Sequence, residues 1–311
     1  MSLGITREDI ERASRRIGPH TRQTPVADLG HGLDTRHRLI LKLDSMQPTG
    51  SFKVRGAFSA LTAAAIPEAG VVAASGGNFG LAVAYAARVL GLRATIFVPA
   101  TSPEEKIGRI ADYGAVVRVV PGYYAQALES SRDWAAESGA FEAHAYDDPE
   151  VVAGQGTCGR EIMKPVPQVS TIVVAVGGGG LIGGIASWVR TGARIVGVEP
   201  ELCPTLYEAR RSGGPVEVDV GGVAASALGA ARLGELAWTA NGWIDRSLLV
   251  SDDAIIEAQR WLWDTCRVLA EPAACAPIAA LTTGAYTPEP GESVVAVISG
   301  ANTALSPQRK G

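Results

Sequence analysis

The chain has 311 residues, 47% apolar content and a formal net charge of −4, which suffices for two compact α/β domains around a large buried core. No block of Lys or Arg offers a footprint for nucleic acid or anionic lipid, so neither is an expected partner. Four cysteines (Cys158, Cys203, Cys266, Cys275) without a CxxC pair and four histidines (His20, His31, His37, His144) without ligand spacing predict reduced core thiols of a cytoplasmic protein and no metal site.

Residues 1–18 mix Arg with Glu and Asp and have no apolar centre, so the expectation is an amphipathic helix with Thr6 as N-cap rather than a signal peptide. Short β-branched runs then alternate with alanine-rich helical patterns, which predicts parallel strands joined by helical crossovers. The first strand is placed at Arg38–Leu43. Lys53 follows in Gln47-Pro48-Thr49-Gly50-Ser51-Phe52-Lys53, leading into a helix. An amine in a first helical turn feels the positive end of the helix dipole, which favours its neutral, nucleophilic form. Most lysines are solvated surface groups, so the position alone does not establish a catalytic role.

A strand at Gly70–Ala74 precedes Ser75-Gly76-Gly77-Asn78-Phe79-Gly80 and a helix at Leu81–Gly91. Glycines here free backbone N–H groups to face an anion such as a substrate carboxylate, though an ordinary strand-to-helix turn reads the same way. Strands at Arg93–Val98 and Ala115–Val120 flank a helix at Glu104–Tyr113 that opens after Pro103. Residues 171–189 carry no charge but contain six glycines, which fits a strand at Thr171–Val176, a tight turn and a helix better than a membrane span.

That turn, Gly177-Gly178-Gly179-Gly180-Leu181, is the stronger of the two anion-binding loops, because four consecutive glycines cost conformational entropy unless close backbone approach is needed. Gly178, Gly180 and Gly183 also satisfy GxGxxG, and Glu199 ends the next strand (Arg194–Val198), so a nicotinamide-dinucleotide site is an alternative. The last strand, Ser293–Ile298, ends at Ser299-Gly300-Ala301-Asn302, where a hydroxyl can meet a heteroaromatic nitrogen or simply end a strand.

In order and spacing these four stations resemble the serine/threonine dehydratase family of pyridoxal-phosphate (PLP) enzymes, of the tryptophan-synthase-β-like fold, fold type II. Val152-Ala153-Gly154-Gln155-Gly156-Thr157, Val198-Glu199-Pro200 and Glu271-Pro272-Ala273 extend the likeness from Arg22 to Asn302. The resemblance implies an α/β protein of two domains, each an open, mostly parallel twisted sheet flanked by helices. The larger would comprise residues 1–69 plus 146–311, and the smaller, 70–145, would close over the substrate. It implies that Lys53 holds PLP as a Schiff base and is the catalytic base, with Phe52 against the ring and Asn78 on its phenolic oxygen. Gly177, Gly178, Gly179, Gly180 and Leu181 would surround the phosphate, and Ser299 would face the pyridine nitrogen. Ser75, Gly76, Gly77 and Asn78 would bind the substrate carboxylate. The implied activity is β-elimination from a small hydroxy amino acid, such as L-threonine or L-serine, in a homodimer. Cysteine-synthase-like β-replacement is the alternative within PLP chemistry, and a non-catalytic amino-acid-binding protein is another, which Lys53 argues against.

Three departures from the family pattern matter. Gly76 stands where a second serine serves the racemase as a base, which disfavours racemisation, and Phe79 replaces a common histidine. Thr205 stands where the family's cation site has an aspartate beside Glu199 and the Cys203 carbonyl, so no obligatory Mg2+ or Ca2+ is expected. The chain ends soon after Asn302, so isoleucine inhibition through a regulatory domain is not expected either. Packing around Phe79, Tyr123, Tyr124 and Val223 is expected to shape the pocket.

Overall fold

In the computed structural model the described residues are 4–31, 37–102, 104–165 and 168–303. Ten strands form two sheets: β1 Val26–Asp28, β2 Arg38–Lys42, β3 Val71–Ala74, β4 Ala94–Pro99, β5 Val116–Val120, β6 Phe141–Glu142, β7 Thr171–Ala175, β8 Arg194–Pro200, β9 Arg246–Val250 and β10 Ser293–Val297. The six-stranded sheet runs β1-β2-β10-β7-β8-β9 and the four-stranded sheet β5-β4-β3-β6. Every pairing is parallel except β1 with β2. Helical crossovers cover both faces of such sheets, and β3, β7 and β10 are accordingly buried at every position and purely apolar or small.

All seven expected strands form, within two residues at each end. β1, β6 and β9 were not expected. β1 and β6 are too short to show a pattern, and all three lie at sheet edges, where half-exposed residues dilute the apolar signal. The helix Arg7–Ile17 starts as expected at Thr6, which forms a reciprocal capping box with Asp9. The helix Glu104–Asp112 also forms, starting where expected and ending one residue early, while Pro103 before it lies outside the described residues. The charge-free stretch becomes β7, the glycine turn and the helix Gly180–Val189, and no helix among the described residues is long and apolar enough to cross a membrane. All four cysteines are free thiols.

Three helices set the positions of the chemically interesting loops. Helix Pro149–Met163 lies between helix Lys53–Ala63 and helix Gly180–Val189. Its Gly154 packs on the backbone of Arg55 and Gly56, so that an added Cβ would lie 2.6 Å from the Arg55 carbonyl oxygen. A Cβ on Gly156 would likewise come within 2.9 Å of the Gly184 carbonyl oxygen. The Val152–Thr157 motif is therefore a packing device that holds the two helices whose N-termini reach the cavity described next.

A buried ionic network fixes the first of those helices further. Arg55 donates to both Asp44 oxygens at 2.8 Å and to both Glu161 oxygens at 2.7 Å, and Lys42 donates to Glu161 at 2.6 Å. Burial alone pushes the Asp44 carboxyl up, but Arg55, Lys42 and the Thr24 hydroxyl outweigh it and hold it below its ordinary value.

Candidate active site

Lys53 is the first residue of its helix, and no side chain caps that end. The preceding turn is tied to the end of β10: Phe52 N–H donates to the Ser299 carbonyl at 2.9 Å, and Ala301 N–H donates to Gly50 O at 2.8 Å. Gly50 has φ +74°, and a Cβ there would sit 2.6 Å from Asn302 Oδ1, so this turn requires glycine. The Lys53 amine donates to the Ala145 carbonyl at 2.9 Å and lies 5.2 and 5.7 Å from the centres of the Phe52 and Phe79 rings. Burial pulls it down to about 8, only partly offset by the nearby Glu271 carboxylate.

One cavity gathers Phe52, Lys53, Asn78, Gly177, Gly178, Gly179, Gly180, Leu181 and Ser299. Every residue expected to touch the cofactor therefore faces the same space. The glycine run needs its glycines: a Cβ on Gly178 would run into the Tyr146 ring, and Gly179 has φ +86° and closes against Ala237 and Leu233. The helix that starts at Gly180 has no side-chain cap, so its first N–H groups and the positive end of its dipole point at the cavity.

Ser75 and Gly76 do not line this cavity. Ser75 Oγ accepts from Gly77 N at 3.2 Å, closing the turn, and Gly76 packs against Ser102 so tightly that a Cβ would overlap it. The space that a serine at position 76 would need is thus filled by Ser102. Gly77 lines a small adjoining pocket, whose wall Asn78 shares with the cavity. Asn78 Nδ2 donates to Glu271 Oε1 at 2.6 Å, and Asn78 Oδ1 accepts from Asn302 Nδ2 at 2.7 Å. The amide is thereby fixed in orientation with one N–H left over.

Glu271, Tyr146 and Asn302 were not singled out as site residues in the sequence, although Glu271 and Asn302 fell within matching motifs. Burial pushes Glu271 up to about 7, against the hydrogen bond from Asn78 and the charges of Lys106 and Lys53. Tyr146 lines the cavity in the space that Tyr123, Tyr124 and Val223 were expected to shape. Those three are instead exposed and line neither the cavity nor the adjoining pocket. Phe79 is buried in the core beside Lys53.

Glu199 does not serve a ribose. It is fully buried and accepts from Leu206 N at 2.7 Å, Tyr207 N at 2.8 Å and Ser247 Oγ at 2.9 Å, which caps the helix Thr205–Ser212. Thr205 Oγ1 lies 2.5 Å from Gly177 O and 3.1 Å from Glu199 Oε1. Its single proton serves one acceptor at a time, and burial pushes Glu199 up to about 7 against the hydrogen bonds it accepts. Thr205 thereby ties the first glycine of the loop to the β8 end. Among the described residues no group of three or more His, Cys, Asp or Glu could hold a metal ion.

Comparison with known proteins agrees with this geometry. The family described as pyridoxal-phosphate dependent enzyme matches residues 17–300. An L-threonine ammonia-lyase of Thermotoga maritima is 33% identical over 305 residues, covering 96% of this chain and 76% of its own length. The crystal structure of a threonine deaminase of T.th. superposes with a TM-score of 0.89 at 33% identity, covering 97% of this chain and 99% of that one. Maize serine racemase superposes with a TM-score of 0.90 at 28% identity, covering 97% and 95%. A family match over most of the chain and relatives at one-third identity leave no room for the nicotinamide alternative, and the chain belongs to the pyridoxal-phosphate dependent enzymes, in the serine/threonine dehydratase family.

Proposed function

We propose that this protein eliminates water from a small β-hydroxy amino acid, such as L-threonine or L-serine, to give a 2-oxo acid and ammonia. The observation that carries the reading is the single cavity that joins a lysine amine of lowered basicity to a glycine-framed helix N-terminus and a buried serine hydroxyl. Those features suit pyridoxal phosphate: an amine for its aldehyde, backbone N–H groups for its phosphate, and Ser299 for its ring nitrogen. When bound, the cofactor withdraws electrons from the substrate α-carbon and so acidifies its proton.

The chain's own groups do the rest. The Lys53 amine, a substantial fraction of it neutral near pH 8, accepts the α-proton at Nζ. A serine at position 299 cannot hold a ring nitrogen protonated as a carboxylate would, which favours prompt expulsion of the β-hydroxyl over a long-lived carbanion. Asn78, clamped between Glu271 and Asn302, fixes the face from which Lys53 acts. Ser75, Gly76, Gly77 and Asn78 turn the N-terminus of helix Asn78–Leu90 toward the substrate carboxylate. The released enamine takes up water and gives the 2-oxo acid and ammonia.

Residues 71–142 supply one whole sheet and residues 26–42 and 171–297 the other, which supports a division into 1–69 plus 146–311 and 70–145. With Lys53 on the first unit and Asn78 on the second, closure of the smaller over the substrate is part of the proposal. So are a homodimer and a cytoplasmic location, the latter supported by four free thiols. The test is 2-oxo-acid release from L-threonine, L-serine and 3-hydroxyaspartate by PLP-loaded protein, with Lys53→Ala as control. Release by the wild type alone supports the proposal; no release from any of the three contradicts it.

A further inference from the structure

Residues 144–148 each carry a structural task, yet one functional group among them is unspent. His144 Nδ1 accepts from Asp147 N at 2.9 Å, and the Ala145 carbonyl accepts from Lys53 Nζ at 2.9 Å. Asp147 accepts from Glu235 N at 3.1 Å and from Leu236 N at 2.9 Å, and Asp148 caps the helix Pro149–Met163. Held from both sides, the Tyr146 ring lies on the glycine run, where a Cβ on Gly178 would come within 2.3 Å of its Cγ. It also meets the His144 ring edge-on, with 4.9 Å between centres. The Tyr146 hydroxyl makes no hydrogen bond among the described residues, and it is not among the buried atoms sealed without a partner.

Elimination of water needs two proton transfers, one from Cα to a base and one to the departing oxygen, because hydroxide leaves far less readily than water. Lys53 performs the first. The other side chains lining the cavity that can carry a proton are Asn78, Tyr146, Glu271 and Ser299. Asn78 is an amide clamped between Glu271 and Asn302, Glu271 Oε1 is turned to Asn78 and Gly300, and Ser299 is assigned to the ring nitrogen. Tyr146 is the remaining O–H. Burial is the first cause that pushes it up to about 12, with Tyr124, Asp147 and Glu217 adding to the rise and Arg232 opposing it, so the phenol keeps its proton across neutral pH. We infer that Tyr146 is a further catalytic residue, whose hydroxyl protonates the β-oxygen of the substrate as it leaves. The inference rests on the β-elimination reading for its chemistry. Lys53 Nζ takes the Cα proton, the Cβ–O bond breaks with its electron pair going to oxygen, and the Tyr146 proton completes the water molecule. The phenolate then regains a proton from the Lys53 ammonium, so both groups return to their starting states with no oxidant or reductant.

Chloride needs no proton to leave, so β-chloro-L-alanine separates the acid from the base. PLP-loaded wild type is compared with Tyr146→Phe, which keeps the ring on Gly178 and loses only the hydroxyl, on L-threonine, L-serine and β-chloro-L-alanine. Tyr146→Phe should lose about a hundredfold or more in kcat on the two hydroxy amino acids and less than about threefold on β-chloro-L-alanine. Two readouts stand apart from turnover. The α-proton of L-alanine, followed by NMR in D2O, should exchange as fast in Tyr146→Phe as in wild type because Lys53 is intact, and the affinity of the apoprotein for PLP should be unchanged because the ring still covers the glycine run. Equal losses on all three substrates, with exchange slowed alike, would make the role of Tyr146 structural and overturn the inference. No loss on the hydroxy amino acids would assign the proton to another donor, the cofactor phosphate included, and also overturn it. Wild type that expels chloride yet releases 2-oxo acid from neither hydroxy amino acid would instead overturn the dehydration reading, and this inference with it.

Discussion

Arg55→Leu removes one cation from a buried network of two cations, Lys42 and Arg55, and two anions, Asp44 and Glu161. Lys42, Asp44 and Arg55 are wholly enclosed and the Glu161 side chain is 15% exposed. The substitution leaves Asp44 with Thr24 and a lysine 3.9 Å away, and stranding a buried charge costs about 3–5 kcal/mol. Arg55→Leu combined with Asp44→Asn restores neutrality, because the 2.6 Å Lys42–Glu161 pair survives. The double variant should therefore lose less than the sum of the singles by about 2 kcal/mol. The pH dependence has a definite sign. Asp44 has a depressed value in the folded state, so its contribution is present above the unfolded carboxylate range and is lost as pH falls through the folded value. The gap between wild type and Arg55→Leu should narrow in acid accordingly. Urea unfolding followed by tryptophan fluorescence and circular dichroism, with coincident transitions required, measures all three variants. Single-variant losses below about 1 kcal/mol, or additivity within about 0.5 kcal/mol, would refute the reasoning.

Other outcomes follow from the cavity. Covalent capture of added PLP by the apoprotein needs the neutral Lys53 amine, so its rate should rise with pH and reach half its maximum near pH 8; a half-point near 10.5 in stopped-flow absorbance contradicts the lowered basicity. Thr205→Val leaves the Gly177 carbonyl unpaired at a cost of about 1–3 kcal/mol in unfolding free energy, which Thr205→Ser should restore; a loss below about 0.5 kcal/mol in urea unfolding contradicts it. Glu271 has a raised folded value of about 7 against an ordinary 4.5, so it binds its proton more tightly when folded and its contribution is lost as pH rises from 4.5 through 7. Glu271→Gln should remove that slope from apoprotein stability curves; an unchanged slope assigns it elsewhere. Chelation by EDTA should leave turnover unaltered, and a loss restored by Mg2+ would contradict the cation-free account.

The sequence made the backbone parts of the site legible and left the side-chain parts obscure. Lys53 stood out because Pro48, Gly50 and the start of a helix frame it, and the run Gly177–Gly180 because four glycines are costly without a reason. The structure supplies that reason in Tyr146, Leu228, Leu233 and Ala237 packed against them. Tyr146 lies in no motif, and Glu271, though within Glu271-Pro272-Ala273, shows no sign of its partner there, since their roles come from tertiary packing across more than 90 residues to Lys53 and about 190 to Asn78. The GxGxxG alternative fails for the opposite reason: Gly183 is needed against Ala237, and Glu199 is spent on capping a helix, so neither forms part of a dinucleotide site. The edge strands β1 and β6 escaped notice because two or three residues carry no period, and β9 because Arg246 and Ser247 interrupt its apolar run, whereas the edge strand β5 is β-branched at four of five positions.

The most direct test is to reduce the PLP-loaded protein with borohydride, digest it and locate the fixed pyridoxyl group by mass spectrometry. The account predicts the label on Lys53 alone, with none in Lys53→Ala. Label on another lysine, or an unlabelled Lys53 in yellow wild-type protein, would contradict it.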